Sequence, residues 1–185
     1  MMSKPSRFTL EDGAVHIRDF DKAPPFTSFL PGLSGVRGIP LWAFYCNRGQ
    51  GISSLGVHHK GSAMMAFHPA FIAYEKAATE GFRTFIRTKQ GFCEPFSPLD
   101  RAPRRSMTIK PNAMAIEEIN AGMGIAVRVS YCTLPGMPIG ALMRGVEIEN
   151  ISEEALTLEV LDGLPRVIPY GMSLAQFKDV GNLFK

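Results

Sequence analysis

Apolar residues recur at every second position through many short stretches of the chain, and glycine or proline separates these stretches. In the segment GIAVRVSYCTL, for example, isoleucine, valine and tyrosine alternate with arginine and serine. Such period-two alternation predicts β-strands that turn one face towards a core and the other towards water. Similar short stretches, among them TSFLPG, IPLWAFYC, GISSLGV, SAMMAF and FRTFIRT, predict about a dozen strands.

Turn residues predict how some of these strands connect. Asp12-Gly13 predicts a tight hairpin, because both central turn positions require a positive φ. Residues 107–120 are predicted to form two strands broken at Pro111-Asn112. Alternation on both sides of the polar segment 150–154 predicts a further antiparallel hairpin. The sequon Asn150-Ile151-Ser152 within it is interpreted as turn chemistry.

Helical patterns are rare. Residues 173–180 are predicted to form a short helix with Ser173 as its N-cap, and residues 70–79 form either one helical turn or an irregular loop. The predicted fold is all-β: a large antiparallel β-sandwich with a short C-terminal helix. We expect the sandwich domain to span residues 1–170 and residues 171–185 to begin a helical linker.

Composition narrows the range of functions. The 185 residues carry a net charge of +3 with no basic run longer than two residues, which argues against a nucleic-acid partner. The cluster Arg101, Arg104 and Arg105 is predicted to lie in a solvated loop. The three cysteines are far apart in the sequence, which favours reduced thiols. The absence of a signal peptide and of a long apolar run predicts a cytoplasmic protein without a membrane partner.

The segment NRGQG, residues 47–51, is the main candidate for ligand binding. It lacks the Gly-Lys-Ser/Thr ending of a phosphate loop, and the sequence after it predicts a strand instead of a helix. Two alternatives remain open: a sharp hairpin with glycines at positive φ, or a ligand-facing tip. In the second, Asn47, Arg48 and Gln50 bind sugar hydroxyls or phosphate.

A second candidate is the segment RTFIR, which places Arg83 and Arg87 on one face of a strand, either solvated or facing an anion. Arg83 is therefore included among the candidate substrate-binding residues. The histidines lack the spacing of metal ligands, and Glu117 and Glu118 are predicted to point to opposite strand faces. These patterns predict neither a metal site nor a catalytic residue.

The combination of SFLPGLSG, GIPLWAFY, NRGQGISS, HPA and GFRTFIR resembles the N-terminal part of β-1,2-oligoglucan phosphorylases. These enzymes belong to glycoside hydrolase family 94, together with the cellobiose phosphorylases. The later stretch MRGVEIENISEEALTLEVLDGLPRVIPYG is similar to strands of the same family, so the resemblance covers residues 8 to 185.

The resemblance implies a supersandwich of the galactose-mutarotase-like kind. In full-length relatives a helical linker and an (α/α)6 barrel follow, and the barrel carries the aspartate general acid. Those enzymes cleave a β-glucosidic bond with inorganic phosphate, without a further cofactor, and invert the anomeric centre to give α-glucose 1-phosphate. The expected function is therefore that of a non-catalytic N-terminal domain or fragment of such a phosphorylase, with a β-glucan oligosaccharide as ligand.

Two alternatives stay open: a free-standing carbohydrate-binding module, and a small mutarotase-like enzyme. The latter would use a histidine and a carboxylate that face each other in a concave sheet. Besides the oligosaccharide, the expected partners are a catalytic barrel or a second copy of the chain. Apolar surface around Leu174, Phe177, Leu183 and Phe184 is expected to promote self-association.

Overall fold

Antiparallel β-strands make up most of the computed structural model, which describes residues 7–31, 34–169 and 171–183. In chain order the strands are β1 (Phe8–Glu11), β2 (Ala14–Arg18), β3 (Thr27–Pro31), β4 (Leu41–Cys46), β5 (Ile52–Val57), β6 (Ala63–Met65), β7 (Arg83–Thr88), β8 (Gly91–Cys93), β9 (Arg104–Lys110), β10 (Ala113–Asn120), β11 (Ile125–Thr133), β12 (Leu142–Asn150) and β13 (Glu159–Gly163). The two α-helices are α1 (Ala70–Lys76) and α2 (Leu174–Leu183). The all-β class and the short C-terminal helix are confirmed.

The strands form three sheets. The largest has six strands in the order β1-β2-β9-β10-β11-β12, a second has four in the order β3-β4-β5-β6, and the third has three in the order β13-β7-β8. Every pairing between the described strands is antiparallel. Most of these pairings join strands that are consecutive in the chain, so local turns connect them, as the frequent glycine and proline residues predict.

One hydrophobic core fills the space between the inner face of the six-stranded sheet and the two smaller sheets. Its fully buried side chains include Met107, Met114, Ile116, Val127, Val129 and Tyr131 from the large sheet, and Leu30, Ala43, Tyr45, Ile52, Leu55 and Ile86 from the others. Burial of each large side chain contributes roughly 1.5–3 kcal/mol. The alternation of apolar and polar residues is satisfied in the central strands, such as β10 and β11, because their apolar sets face this core.

Two turns agree with the sequence prediction in detail. Asp12 and Gly13 adopt φ values of 50° and 71° between β1 and β2, as a tight hairpin requires. Pro111 and Asn112 lie between β9 and β10, which pair along most of their length. The side chain of Asn150 also forms a turn, since its Oδ1 accepts hydrogen bonds from the Ser152 amide at 3.0 Å and the Ser152 hydroxyl at 2.7 Å.

The hairpin predicted on either side of this turn is wrong. β12 pairs with β11 in the six-stranded sheet, whereas β13 pairs with β7 in the three-stranded sheet. Leu156 and Leu158 lie in the connecting segment and pack against the core without belonging to a strand. Alternation predicts which side chains turn inward, but it carries no information about the neighbour with which a strand forms hydrogen bonds.

The C-terminal helix is confirmed, with a capping box at its start. The Ser173 hydroxyl accepts a hydrogen bond from the Gln176 amide at 3.2 Å, and the Gln176 side chain accepts one from the Ser173 amide at 2.8 Å. The side chains of Leu174, Phe177 and Leu183, and all of Phe184, lie outside the described residues. The self-association expected from them therefore stays a prediction, as does the domain boundary near residue 170.

All three cysteines are free, as the sequence predicts. Burial raises the pKa of the Cys46 thiol to about 11 and that of Cys93 also to about 11, so both side chains stay protonated near neutral pH.

The prediction that Arg105 lies in a solvated loop is wrong. Its side chain is 1% exposed, and its Nε donates a hydrogen bond to Glu118 Oε2 at 2.7 Å while Nη1 lies 3.1 Å from Asp21 Oδ2. The Phe96 amide donates to the same carboxylate at 2.6 Å. Burial raises the pKa of Glu118, and attraction to Arg105 opposes that effect. This cluster holds the segment before β9 against β10, so its charges are paired inside the fold.

Substitution of Arg105 by methionine should destabilise the fold by about 3–5 kcal/mol, because Glu118 is left as an unpaired buried charge. The measurement is chemical denaturation followed by circular dichroism. Arg104 is the matched control, because it is the neighbouring arginine and is exposed; Arg104→Met should change the unfolding free energy by less than about 0.5 kcal/mol. Equal losses in both variants would contradict a structural role specific to Arg105.

Candidate functional site

The NRGQG segment forms the tip of the hairpin between β4 and β5. Gly49 and Gly51 adopt φ values of 53° and 88°, a backbone region that favours glycine. A Cβ atom at Gly49 would also lie 2.8 Å from the Ala77 carbonyl oxygen, so the close approach of the segment after α1 requires glycine as well. The hairpin with glycines at positive φ is confirmed.

Asn47 lies inside the protein, with no exposed surface. Its Oδ1 accepts a hydrogen bond from the Phe26 amide at 3.0 Å, and its Nδ2 donates to the carbonyls of Phe20 at 2.8 Å and Pro24 at 3.1 Å. The side chain therefore replaces main-chain partners for a segment that has no strand neighbour at this point. These contacts give Asn47 a structural role.

Arg48 also bonds to the protein itself. Its guanidinium donates to the Asn47 carbonyl at 2.7 Å and to the Ala23 carbonyl at 3.3 Å. The residue is half-buried. Gln50 is 3% exposed, and its Nε2 donates to the Thr84 hydroxyl at 2.9 Å. Substrate binding by Asn47, Arg48 and Gln50 stays a prediction, and their contacts favour the alternative of a structural hairpin.

Gln50 belongs to a polar junction centred on Arg144 of β12. The Arg144 guanidinium donates two hydrogen bonds to Asp162 at 2.6 and 2.8 Å and one to Gln50 Oε1 at 2.6 Å. The guanidinium carbon of Arg144 lies over the Phe82 ring, 4.8 Å from the ring centroid. The Thr84 hydroxyl donates to Asp162 at 2.6 Å. We call Gln50, Thr84, Arg144 and Asp162 the arginine junction; it links one residue or more from each of the three sheets.

Hydrogen bonding from Arg144 lowers the pKa of Asp162 below its ordinary value. The carboxylate therefore stays charged at neutral pH, and the buried guanidinium keeps its counter-charge. This pairing indicates a structural role for the junction, because Nη1 and Nη2 of Arg144 donate to partners within the protein, while its buried Nε has no hydrogen-bond partner among the residues that the structure describes.

Arg83, the fourth candidate, lies on the outer side of the three-stranded sheet. Its guanidinium donates to both carboxylate oxygens of Glu94, at 2.6 and 2.9 Å, and lies over the Phe85 ring at 4.7 Å. Arg83, Phe85 and Arg87 share one strand face, as the sequence predicts. The Arg83 guanidinium is not available to an incoming anion, because its Nε and Nη2 atoms already donate to Glu94. Its role in substrate binding also stays a prediction.

A depression of about 330 Å³ lies elsewhere, on the outer face of the six-stranded sheet. By outer face we mean the side that faces away from the core. Small residues form the floor of the depression: Ala113, Ala115, Ser130 and Gly145. Thr108, Lys110, Arg128 and Met143 border it. The surface is depressed at this point because the outward-facing residues of the adjacent strands β10, β11 and β12 have short side chains or none.

Strand register aligns these residues in rows across the sheet. One row contains Thr108, Ala115, Ser130 and Gly145 on four neighbouring strands. His16 extends this row on β2, where its Nδ1 lies 3.1 Å from the Thr108 hydroxyl. The next row contains Ser106, Glu117, Arg128 and Glu147. A small, hydroxyl-bearing row thus runs beside a row of alternating charge.

None of the four candidate residues predicted from the sequence lines this depression. A signal for it was nevertheless present, because the polar positions of AMAIEEIN, VRVSYC and MRGVEIE include alanine, serine and glycine where a solvated face usually carries longer side chains. The alternation showed that these positions share one face, but only the register shows that they lie side by side.

Within the described ranges, no group of three or more histidine, cysteine, aspartate or glutamate side chains is placed to hold a metal ion. Neither described helix is long and apolar enough to cross a bilayer. The chain matches no model of a known protein family, and no curated protein matches it.

Gln50→Ala should destabilise the protein by about 1–3 kcal/mol, since Arg144 loses one buried acceptor and Thr84 loses a partner. Thermal and urea unfolding measure the change. Gln90 in the exposed turn between β7 and β8 provides the matched control, and Gln90→Ala should have a negligible effect. A Gln50 variant as stable as the Gln90 variant would show that the junction does not depend on this residue.

Proposed function

We propose that this chain is a carbohydrate-binding β-sandwich that serves a phosphorylase acting on β-1,2-linked glucooligosaccharides, and that it does not catalyse the reaction by itself. Phosphorolysis in such an enzyme would be performed by a barrel of the kind found in the enzymes that the chain resembles. The sandwich would hold part of the oligosaccharide.

The depression on the outer face is the observation that carries this proposal. Its volume of about 330 Å³ falls at the lower end of the range typical of small-ligand sites. It lies across strands β9 to β12 of the six-stranded sheet; β9, β10 and β11 have hydrogen-bonded neighbours on both sides, and β12 is the edge strand. A rigid floor lowers the entropic cost of binding, because little of the protein must be ordered around the ligand.

The polar groups around the depression suit a neutral polyhydroxylated ligand. Sugar hydroxyls both donate and accept hydrogen bonds, and the site offers both kinds of partner: Ser130 does either, Lys110 and Arg128 donate, and Glu117 in the next row accepts. Arg128 lies between Glu117 and Glu147 in the strand register, so the row has no strong excess of one sign. These carboxylates offset part of the positive charge of the lining, in which Lys110, Arg128 and Arg144 are the charged residues, and such an offset suits a neutral sugar.

A specific observation favours a second candidate, the small mutarotase-like enzyme. His16 on β2 and Glu117 on β10 lie on the same outer face, two strands and one register row apart, and are the residue types that acid–base chemistry on a sugar ring needs. Polarimetry of freshly dissolved α-glucose tests it. This candidate requires protein-dependent acceleration that is lost in His16→Ala and in Glu117→Gln; the carbohydrate-binding proposal expects no acceleration.

Ala115→Leu should weaken binding of a β-1,2-linked glucose disaccharide at least about tenfold, or about 1.4 kcal/mol, because the larger side chain fills the floor. Isothermal titration calorimetry measures the dissociation constant. Thr9→Leu is the control: it places the same leucine side chain in the same row but three strands from Ala115, about 14 Å by strand spacing. If the control loses as much affinity as Ala115→Leu, or if the unmodified chain binds no disaccharide, the site is wrongly placed.

Incubation of the chain with β-1,2-glucooligosaccharides and inorganic phosphate should release no glucose 1-phosphate. The reason is that the general acid of the enzymes that the chain resembles belongs to the barrel. A coupled phosphoglucomutase assay gives the readout, with a complete phosphorylase as the positive control. Release that scales with the concentration of this chain would overturn the non-catalytic part of the proposal.

A further inference from the structure

Strand β13 is exposed on both faces and along one edge. All five of its residues are exposed, and among the described strands it pairs with β7 alone. Val160 and Leu161 point to opposite faces and are 48% and 69% exposed. An edge strand with apolar side chains and unpaired backbone groups is a template for pairing with another strand.

The outer side of β13 continues into an apolar stripe. Leu161 lies opposite Phe85 on β7, and the Phe85 ring stacks on that of Phe92 on β8 with centroids 6.0 Å apart and planes at 17°. Phe92 is 64% exposed. We call Leu161, Phe85 and Phe92 the apolar stripe. It leads across the whole three-stranded sheet to the free edge at β13.

The charges beside this stripe balance each other. Arg83 pairs with Glu94 at 2.6 Å, and Arg87 pairs with Glu159 at 2.8 Å. Two cations and two carboxylates leave no net charge at the surface. A surface that meets an identical surface must not repel itself, and a rim of one sign would do so.

We propose that β13 pairs antiparallel with β13 of a second copy of this chain, about a two-fold axis at Leu161. This register places Glu159 opposite Gly163 and Val160 opposite Asp162, so that no two carboxylates lie directly opposite each other. Leu161 meets its own counterpart at the axis. The result is a continuous six-stranded sheet, β8-β7-β13 from each copy, with the two apolar stripes joined end to end.

The short sequence of β13 favours a second copy as the partner. In an antiparallel self-pairing of five residues, the central residue meets itself and the others meet in reciprocal pairs. Leucine at the centre and glycine opposite the terminal glutamate satisfy both conditions. Asp162 also keeps its bonds to Arg144 from the arginine junction, because those bonds leave from its side chain and not from the strand edge.

Sedimentation velocity over a range of concentrations tests the pairing. The unmodified chain should show a concentration-dependent dimer, and Leu161→Lys should be monomeric because two lysines would meet at the axis. Phe92→Lys introduces the same charge at a similarly exposed apolar position on the far edge of the stripe, so it should still dimerise. A monomeric unmodified chain, or a dimer lost in Phe92→Lys but kept in Leu161→Lys, overturns the proposal.

A mixing experiment tests the register itself. Leu161→Lys and Leu161→Glu should each be monomeric, but a mixture of the two should form a heterodimer, because opposite charges then meet at the axis. Native mass spectrometry separates the two masses. Dimerisation of either variant alone, or a mixture that stays monomeric while the unmodified chain dimerises, would show that Leu161 does not meet its own counterpart.

Discussion

The hydrogen bonding of the largely buried Arg144 guanidinium is the interaction that connects all three sheets. Its own strand belongs to the six-stranded sheet, Gln50 belongs to the hairpin tip of the four-stranded sheet, and Thr84 and Asp162 belong to the three-stranded sheet. A largely buried cation is costly without acceptors, and the acceptors of Arg144 Nη1 and Nη2 come from the hairpin tip, from β7 and from β13. Hydrogen bonding from Arg144 also lowers the pKa of Asp162, so the carboxylate stays charged and keeps its ion pair with Arg144.

The arginine junction also explains why polar residues of the hairpin tip turn inward. Gln50 accepts a hydrogen bond from Arg144 Nη2, and Asn47 supplies hydrogen bonds to a main-chain segment without a strand neighbour. Arg105 is a second arginine paired inside the fold, where it contacts the carboxylates of Glu118 and Asp21. In this protein Arg105 and Arg144 are paired with carboxylates inside the fold, whereas Lys110 and Arg128 border the open depression.

The depression and the exposed β13 edge lie on two different sheets, and this separation has a functional consequence. Pairing of two copies through β13 would leave the outer face of the six-stranded sheet accessible in each copy. Ligand binding and self-association can then be measured independently. The arginine junction connects the two regions physically, since Arg144 lies next to Gly145 on β12 and holds Asp162 on β13.

The sequence by itself determined the class of the fold, the positions of most strands, the Asp12-Gly13 turn and the start of the C-terminal helix. These features depend on local backbone preferences and on alternation within one strand. Tertiary structure alone decided that β13 joins β7 and not β12, that Arg105 is buried while Arg104 is exposed, and that Ala115, Ser130 and Gly145 lie side by side. The physical reason is that sheet register and ion pairing join residues far apart in the chain, and a residue's type does not reveal which distant partner will satisfy it.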